Sequence, residues 1–207
     1  MALANTLWRL NTDLAQACLD SPFVRGIGDG SLPRQQFAWY IGQDAFYLQA
    51  FARAYTLAAA KAPDWAGFQE LHQLAGGVLQ ELELHKGVAA TWGLDLAQIT
   101  PVPTTRRYTD FLLATAWASE TGVTLAAMTP CMRLYAWLGA QLATQQPAAH
   151  GYSEWIQTYS SADFELLAAR LERLLDGYAP DPAAAGAVYR YAMECEYSFF
   201  QSAWSMA

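Results

Sequence analysis

Charge is scarce in this chain of 207 residues: Asp, Glu, Lys and Arg supply only 15% of it, against about 25% in an average soluble protein. With 54% of its residues apolar, the chain is not disordered and can build a large core. Positive charge is the scarcer sign, with 12 basic against 19 acidic residues and a net charge of −7. Phosphate recognition needs a basic footprint, so no nucleic acid partner is expected. Histidine is confined to His72, His85 and His150, and none of them completes a Glu-x-x-His pair. The di-iron pattern of helical bundles is therefore missing, and no metal is expected. Three cysteines, Cys18, Cys131 and Cys195, are too few and too scattered for a disulfide framework, and read as reduced thiols of a cytoplasmic protein. The longest uncharged run, residues 134–153, is broken by Gln141, Gln145, Gln146, Pro147, His150 and Gly151, so no membrane span is expected. The opening MALANTLWRL lacks the basic and compact apolar regions of a secretory signal. Gly26, Gly28 and Gly30 follow no strand and miss the nucleotide-binding spacing, and there is no G-x-S-x-G elbow.

What the chain does have is aromatic mass and helical periodicity. Eight Trp, 11 Tyr and 9 Phe make up 14% of it, which suits an aromatic-lined pocket or a subunit interface. The pattern predicts eight helices in one all-α domain. The first covers residues 6–20, with Leu7, Leu10 and Leu14 on one face, and a turn over residues 26–33 follows. A long helix from the Ser31–Pro33 start runs to Ala62, where Pro63 ends it. The next, capped by Asp64, continues to Trp92 and stops at Gly93. After the PVPTT linker, Thr104 or Thr105 caps a helix to about Glu120, and residues 122–142 form another around Pro130. A loop over 146–151 leads to a short helix near Trp155. A helix over 163–177 and a last one from Asp181–Pro182 to Trp204 complete the set. Residues 45–60 carry a single charge, Arg53. A helix so apolar must lie between layers or against another subunit.

Three local features carry chemistry. Cys131 follows Pro130 inside an apolar helix. Proline removes one N–H, leaves the carbonyl of Ala126 without its helical partner, and can aim the next side chain at a cavity. Buried cysteines also serve simply as small hydrophobes. Glu196 sits among Tyr197, Phe199 and Phe200, where a carboxylate either acquires a partner or a raised pKa, or else is a solvated end-helix charge. Asp44 and Tyr47 share one face of an otherwise apolar helix, as a ligand-binding pair or as a buried Asp bonded to its neighbour.

Taken in order, five segments resemble the TenA family, also called thiaminase II or aminopyrimidine aminohydrolase. GDGSLPRQQFAWYIGQDAFYLQAFARAY (28–55) is similar to its G-x-L-P-x-x-x-F-x-x-Y-x-x-Q-D-x-x-Y-L pattern. RRYTDFLLATA (106–116) supplies a Tyr at 108. TPCMRLYAWLG (129–139) matches P-C-x-x-x-Y-x-x-x-G, WIQTYSSADF (155–164) matches W-I-x-x-Y-x-x-x-x-F, and CEYSFF (195–200) matches the family's ending. The resemblance spans almost the whole chain. It departs at Phe200 in place of the usual Trp, at Cys195 where an aromatic is common, and at Arg133.

The resemblance implies a heme-oxygenase-like helical bundle over residues 1–207, a homotetramer, and no cofactor. It implies Cys131 as nucleophile, placing the chain in the branch with a Cys at this point, and Glu196 as acid/base. Asp44 then binds the polar edge of an aminopyrimidine, with Tyr47, Tyr108, Tyr135 and Tyr159 shaping the pocket. The implied reaction is hydrolysis of 4-amino-5-aminomethyl-2-methylpyrimidine, and of thiamin, to the hydroxymethylpyrimidine for thiamin salvage. Two other readings use the same fold: a non-catalytic pyrimidine-binding or regulatory protein, and an oxidase of the pyrroloquinoline-quinone-synthesis type, which needs more His and Arg at its site.

Overall fold

The computed structural model describes residues 2–91, 99–145 and 149–206, with side chains over the same ranges except 84–91. Among the described residues it has ten helices and no strand. They are α1 (Leu3–Leu10), α2 (Thr12–Leu19), α3 (Pro22–Asp29), α4 (Arg34–Ala60), α5 (Trp65–Thr91), α6 (Pro103–Ala118), α7 (Thr121–Thr144), α8 (Ser153–Tyr159), α9 (Ala162–Tyr178) and α10 (Pro182–Ser205).

Two of the extra helices come from the region read as one helix and a turn. Asn11 breaks the first: its side-chain amide, buried, donates back to the Leu7 carbonyl at 2.8 Å, and the chain restarts as α2. The break rotates the apolar face, so Leu7 is buried while Leu10 is 69% exposed. Residues 22–29, of which 26–29 are expected as turn, form α3 because Ser21 accepts from the Val24 N–H and Pro22 occupies the first helical position. The turn proper is confined to residues 30–33 and opens at Gly30, at φ 78°, where a residue without a Cβ is favoured.

Elsewhere the boundaries follow the expected punctuation. Asp64 accepts from the Gly67 N–H at 2.8 Å to start α5, and Asp181 accepts from the Ala184 N–H at 2.9 Å to start α10. The expected end of α5 at Trp92–Gly93 lies outside the described residues, as do residues 146–148 of the expected loop. At α6 the capping expectation is corrected: Val102 occupies the cap position with Pro103 behind it, and Thr105 is turned to Gln43.

The core is centred on α4, α7 and α10. α4 packs on α5 and α6, while α7 packs on α8, α9 and α10. Every residue from Thr121 to Pro130 is buried, as expected for a helix that is apolar all round. The apolar faces of α4 are covered within the chain, with Phe51, Ala54, Tyr55 and Ala58 almost fully buried. No helix of the described residues is long and apolar enough to cross a membrane.

Candidate active site

Three helical faces converge. On α4, Tyr40, Asp44, Tyr47, Leu48 and Phe51 recur at helical spacing and form one inward stripe. On α7, Cys131, Tyr135 and Gly139 stand four residues apart on one face. A Cβ on Gly139 would lie 2.4 Å from the Tyr159 carbonyl carbon, so the missing side chain lets the end of α8 bring Tyr159 against Tyr135, ring centroids 4.9 Å apart. The third face contributes Glu196 from α10.

Asp44, Tyr47, Cys131, Tyr135 and Tyr159 line a single narrow cavity of about 20 Å³, together with Glu81, Phe51 and Phe164. That is room for about one water, so a flat ring enters only as the aromatic walls part. Tyr108 and Glu196 stand behind this lining and are joined to it by hydroxyl contacts. The Tyr108 hydroxyl donates to Glu196 Oε1 at 2.7 Å, and the Tyr47 hydroxyl donates to that of Tyr108 at 3.4 Å. Tyr40 donates to the Tyr135 hydroxyl at 3.2 Å. All seven residues picked from the sequence therefore meet at one place.

The electrostatics are those of a buried, acidic site. Burial pushes the Glu196 carboxyl up to about 8; the nearby Asp44 adds to this, while the Tyr108 hydroxyl and the Cys131 thiol oppose it by donating toward the carboxylate. Burial likewise lifts the Cys131 thiol well above its usual range. Glu196 adds to that shift and the Tyr47 hydroxyl opposes it. Near neutral pH both groups hold their protons, so a thiolate forms here only as its proton is taken away.

Two residues of this region escaped the sequence analysis. Gln43, 2% exposed, accepts from the Thr105 hydroxyl at 2.7 Å and the Val102 N–H at 3.1 Å, and donates to the Thr100 carbonyl at 3.1 Å. It ties α4 to the start of α6, one turn before Tyr108. Glu81 lines the cavity from α5, and the Tyr159 hydroxyl points at it from 3.5 Å. A Gln beside Asp44 in an apolar helix was a readable signal; Glu81, on an ordinary-looking amphipathic stretch, offered none.

The departures from the motif pattern lie outside the cavity lining. Arg133 turns to α9, where it meets Glu172 through two bonds of 2.7 and 2.6 Å and Glu165 at 2.8 Å. Phe200 is fully buried, stacked on Phe23 with ring centroids 5.8 Å apart. Cys195 is buried, and all three cysteines are free. Among the described residues no three His, Cys, Asp or Glu side chains gather as a metal site; the side chain of His85 lies outside them.

Residues 11–206 match the TENA/THI-4/PQQC family. The chain is 38% identical over 208 residues to the thiamine biosynthesis multifunctional protein ThiED of Corynebacterium efficiens, a match that covers 95% of this chain and 28% of that protein. It is 33% identical over 185 residues to an aminopyrimidine aminohydrolase of Halalkalibacterium halodurans, covering 85% of this chain and 81% of the relative. Against the larger curated relatives the chain spans only 28%, 37% and 22% of their length. Among solved structures, a TenA homologue from P. horikoshii OT3 superposes with a TM-score of 0.93 at 25% identity over the whole of both chains. A heme oxygenase-like domain from Shewanella denitrificans superposes at 0.78 with 14% identity, covering 100% of this chain and 93% of that one. With ten helices among the described residues on that architecture and a family match over nearly the whole chain, this chain belongs to the TENA/THI-4/PQQC family and has a heme oxygenase-like all-α fold.

Proposed function

We propose that the chain is an aminopyrimidine aminohydrolase of the thiaminase II type, acting on 4-amino-5-aminomethyl-2-methylpyrimidine and on thiamin through Cys131. The observation that carries this reading is the adjacency of a half-buried thiol, a carboxyl that is protonated near neutral pH, and a wall of tyrosines around one cavity. A curated relative named for that activity, most of whose length the chain covers, supports it.

The geometry suits addition without a charged intermediate. The Cys131 sulfur bonds to a ring carbon as one Glu196 oxygen takes the thiol proton; the other oxygen gives its proton to the ring nitrogen that receives the electron pair. That nitrogen then returns the pair, expelling the group on the exocyclic methylene as ammonia or as the neutral thiazole. Water bonds to the methylene carbon as the electron pair returns to the ring nitrogen, and its proton passes to the released ammonia or to solvent; the sulfur then leaves, taking a proton from one Glu196 oxygen while the other recovers the ring-nitrogen proton, which restores aromaticity. Asp44 binds the polar edge of the ring, while Tyr47, Tyr108, Tyr135 and Tyr159 hold it flat and supply hydroxyl partners. No step requires a metal or an organic cofactor.

The same reading treats the chain as one TenA-like domain, cytoplasmic, and a homotetramer. Support for association comes from a groove of about 550 Å³ between α4, α5 and α6, where Leu79 is 55% and Trp117 73% exposed. The apolar stretch of α4, which suggested association from the sequence, is instead covered inside the chain. Incubating the protein separately with the aminomethylpyrimidine and with thiamin, and identifying the products, tests the function. Hydroxymethylpyrimidine from either compound supports it. Tight binding with no product would favour a non-catalytic pyrimidine binder.

A further inference from the structure

Tyr47, Tyr135 and Tyr159 line the cavity, and two of their three hydroxyl protons are taken up inside the protein. Tyr47 must donate to Tyr108, because the Tyr108 hydroxyl spends its own proton on Glu196. Tyr159 is directed at Glu81 Oε1, 3.5 Å away. Tyr135 differs: its one hydrogen-bond partner among the described residues is the hydroxyl of Tyr40, at 3.2 Å.

Tyr40 stands one turn before Asp44 on α4 and is fully buried. Its ring packs among those of Phe23, Phe37 and Phe199, with centroids 5.1, 5.9 and 5.8 Å away. Among the described residues its only acceptor is the Tyr135 oxygen. A buried hydroxyl without an acceptor is costly, so the proton between the two oxygens belongs to Tyr40. A tyrosine hydroxyl has a single proton to give. That of Tyr135 is therefore unspent, and it stands at the cavity wall one turn beyond Cys131. Burial above all, with the charge of Asp44 adding to it, pushes both hydroxyls well above their usual range, so neither ionises at working pH.

On the pyrimidine reading above, on which this inference rests, Glu196 serves one ring nitrogen and Asp44 the amino group on the polar edge. A pyrimidine has two ring nitrogens, and the second is an acceptor in need of a donor. We infer that Tyr40 is a positioning residue: by donating to the Tyr135 oxygen it keeps the Tyr135 proton turned into the cavity, toward that second nitrogen. Once the Tyr40 hydroxyl is removed, that of Tyr135 rotates freely, and ligand binding has to order it.

The test is a double-mutant cycle on the Kd of 4-amino-5-hydroxymethyl-2-methylpyrimidine, measured by calorimetry for the parent, Tyr40→Phe, Tyr135→Phe and the double variant. Tyr40→Phe keeps the ring that packs on its three neighbours and removes only the hydroxyl. It leaves no orphan, since the Tyr135 oxygen lies at the cavity, where a water fits. Tyr40→Phe should raise the Kd about fivefold or more, and Tyr135→Phe about tenfold or more. In the Tyr135→Phe background, Tyr40→Phe should change the Kd by less than about twofold, because the hydroxyl through which it acts is gone. The kcat of Tyr40→Phe on the aminomethyl compound should stay within about threefold of the parent, since the bond it orients is already made in the bound ring. A purely structural Tyr40 would lower the Tm and leave the Kd unchanged. That result overturns the inference, as do losses at the two positions that simply multiply, and both leave the proposed reaction standing. A parent protein that does not bind the pyrimidine overturns the pyrimidine assignment and this inference together.

Discussion

The Tyr108 hydroxyl donates to Glu196 Oε1 across 2.7 Å inside the core, linking α6 to α10 beside the Cys131 thiol. The bond and the burial of the carboxyl act on its proton in opposite directions. Burial lifts the Glu196 carboxyl to about 8, and Tyr108 pulls in the opposite direction by stabilising the ionised form.

The first prediction follows from that opposition. A Glu196 that must deliver a proton is competent below its pKa, so kcat/KM should fall as pH rises through about 8. In Tyr108→Phe the carboxylate loses its donor, the pKa moves up, and the alkaline limb should shift to higher pH. The plateau rate should drop about ten- to hundredfold. The pH profile of kcat/KM for both proteins is the measurement; a limb that stays in place, or moves down, contradicts the assignment.

Stability should respond with a definite sign. Glu196 is protonated in the fold up to about 8 but ionises at ordinary carboxylate pH once unfolded. Its contribution is therefore present below the unfolded pKa and is lost progressively as pH rises to about 8. Glu196→Gln keeps the shape without the charge. It should be inactive yet more stable than the parent by a few kcal/mol at pH 8 and above, with the gain vanishing toward pH 4.5. Urea unfolding across that range checks both the sign and the trend.

Gly139 makes a steric prediction. A methyl group there meets the Tyr159 carbonyl carbon at 2.4 Å and the Ser160 nitrogen at 2.6 Å, both of them backbone atoms that cannot rotate away. Gly139→Ala should cost about 1–3 kcal/mol in overpacking. It should also reduce kcat/KM by displacing Tyr159 from Tyr135. Denaturation and kinetics on the same preparation separate the two effects.

Gln43 predicts a loss at a distance. Gln43→Ala leaves the Val102 N–H and the buried Thr105 hydroxyl without their acceptor. This should destabilise the protein by about 1–3 kcal/mol. Since Gln43 lines no part of the cavity, the activity lost should come through Tyr108 and the start of α6. Pairing Gln43→Ala with Tyr108→Phe in a double-mutant cycle should show less than additive loss of kcat/KM.

Most of the helix order was legible because its punctuation is local: Asp64, Asp181, Pro63 and Pro182 act within a turn of where they stand. α3 and the break at Asn11 were not. The signals there, a Ser21 cap and an Asn11 side chain folding back on Leu7, compete with an apparently continuous Leu7–Leu10–Leu14 stripe. The cavity residues were legible where spacing put polar groups on apolar faces, as with Asp44 and Tyr47, or where ordered motifs resembled a family. Glu81 and Gln43 act across helices separated by long stretches of sequence, a relation that no local pattern reveals.

The most direct test of the central claim is the rate of hydroxymethylpyrimidine release from 4-amino-5-aminomethyl-2-methylpyrimidine by Cys131→Ser, with Cys18→Ser as the control. Cys18 is fully buried and lies outside the cavity lining. If Cys131 is the nucleophile, Cys131→Ser should lose about a thousandfold or more in kcat, while Cys18→Ser stays within about twofold of the parent. A Cys131→Ser protein that kept a tenth or more of the parent rate would contradict covalent catalysis by Cys131.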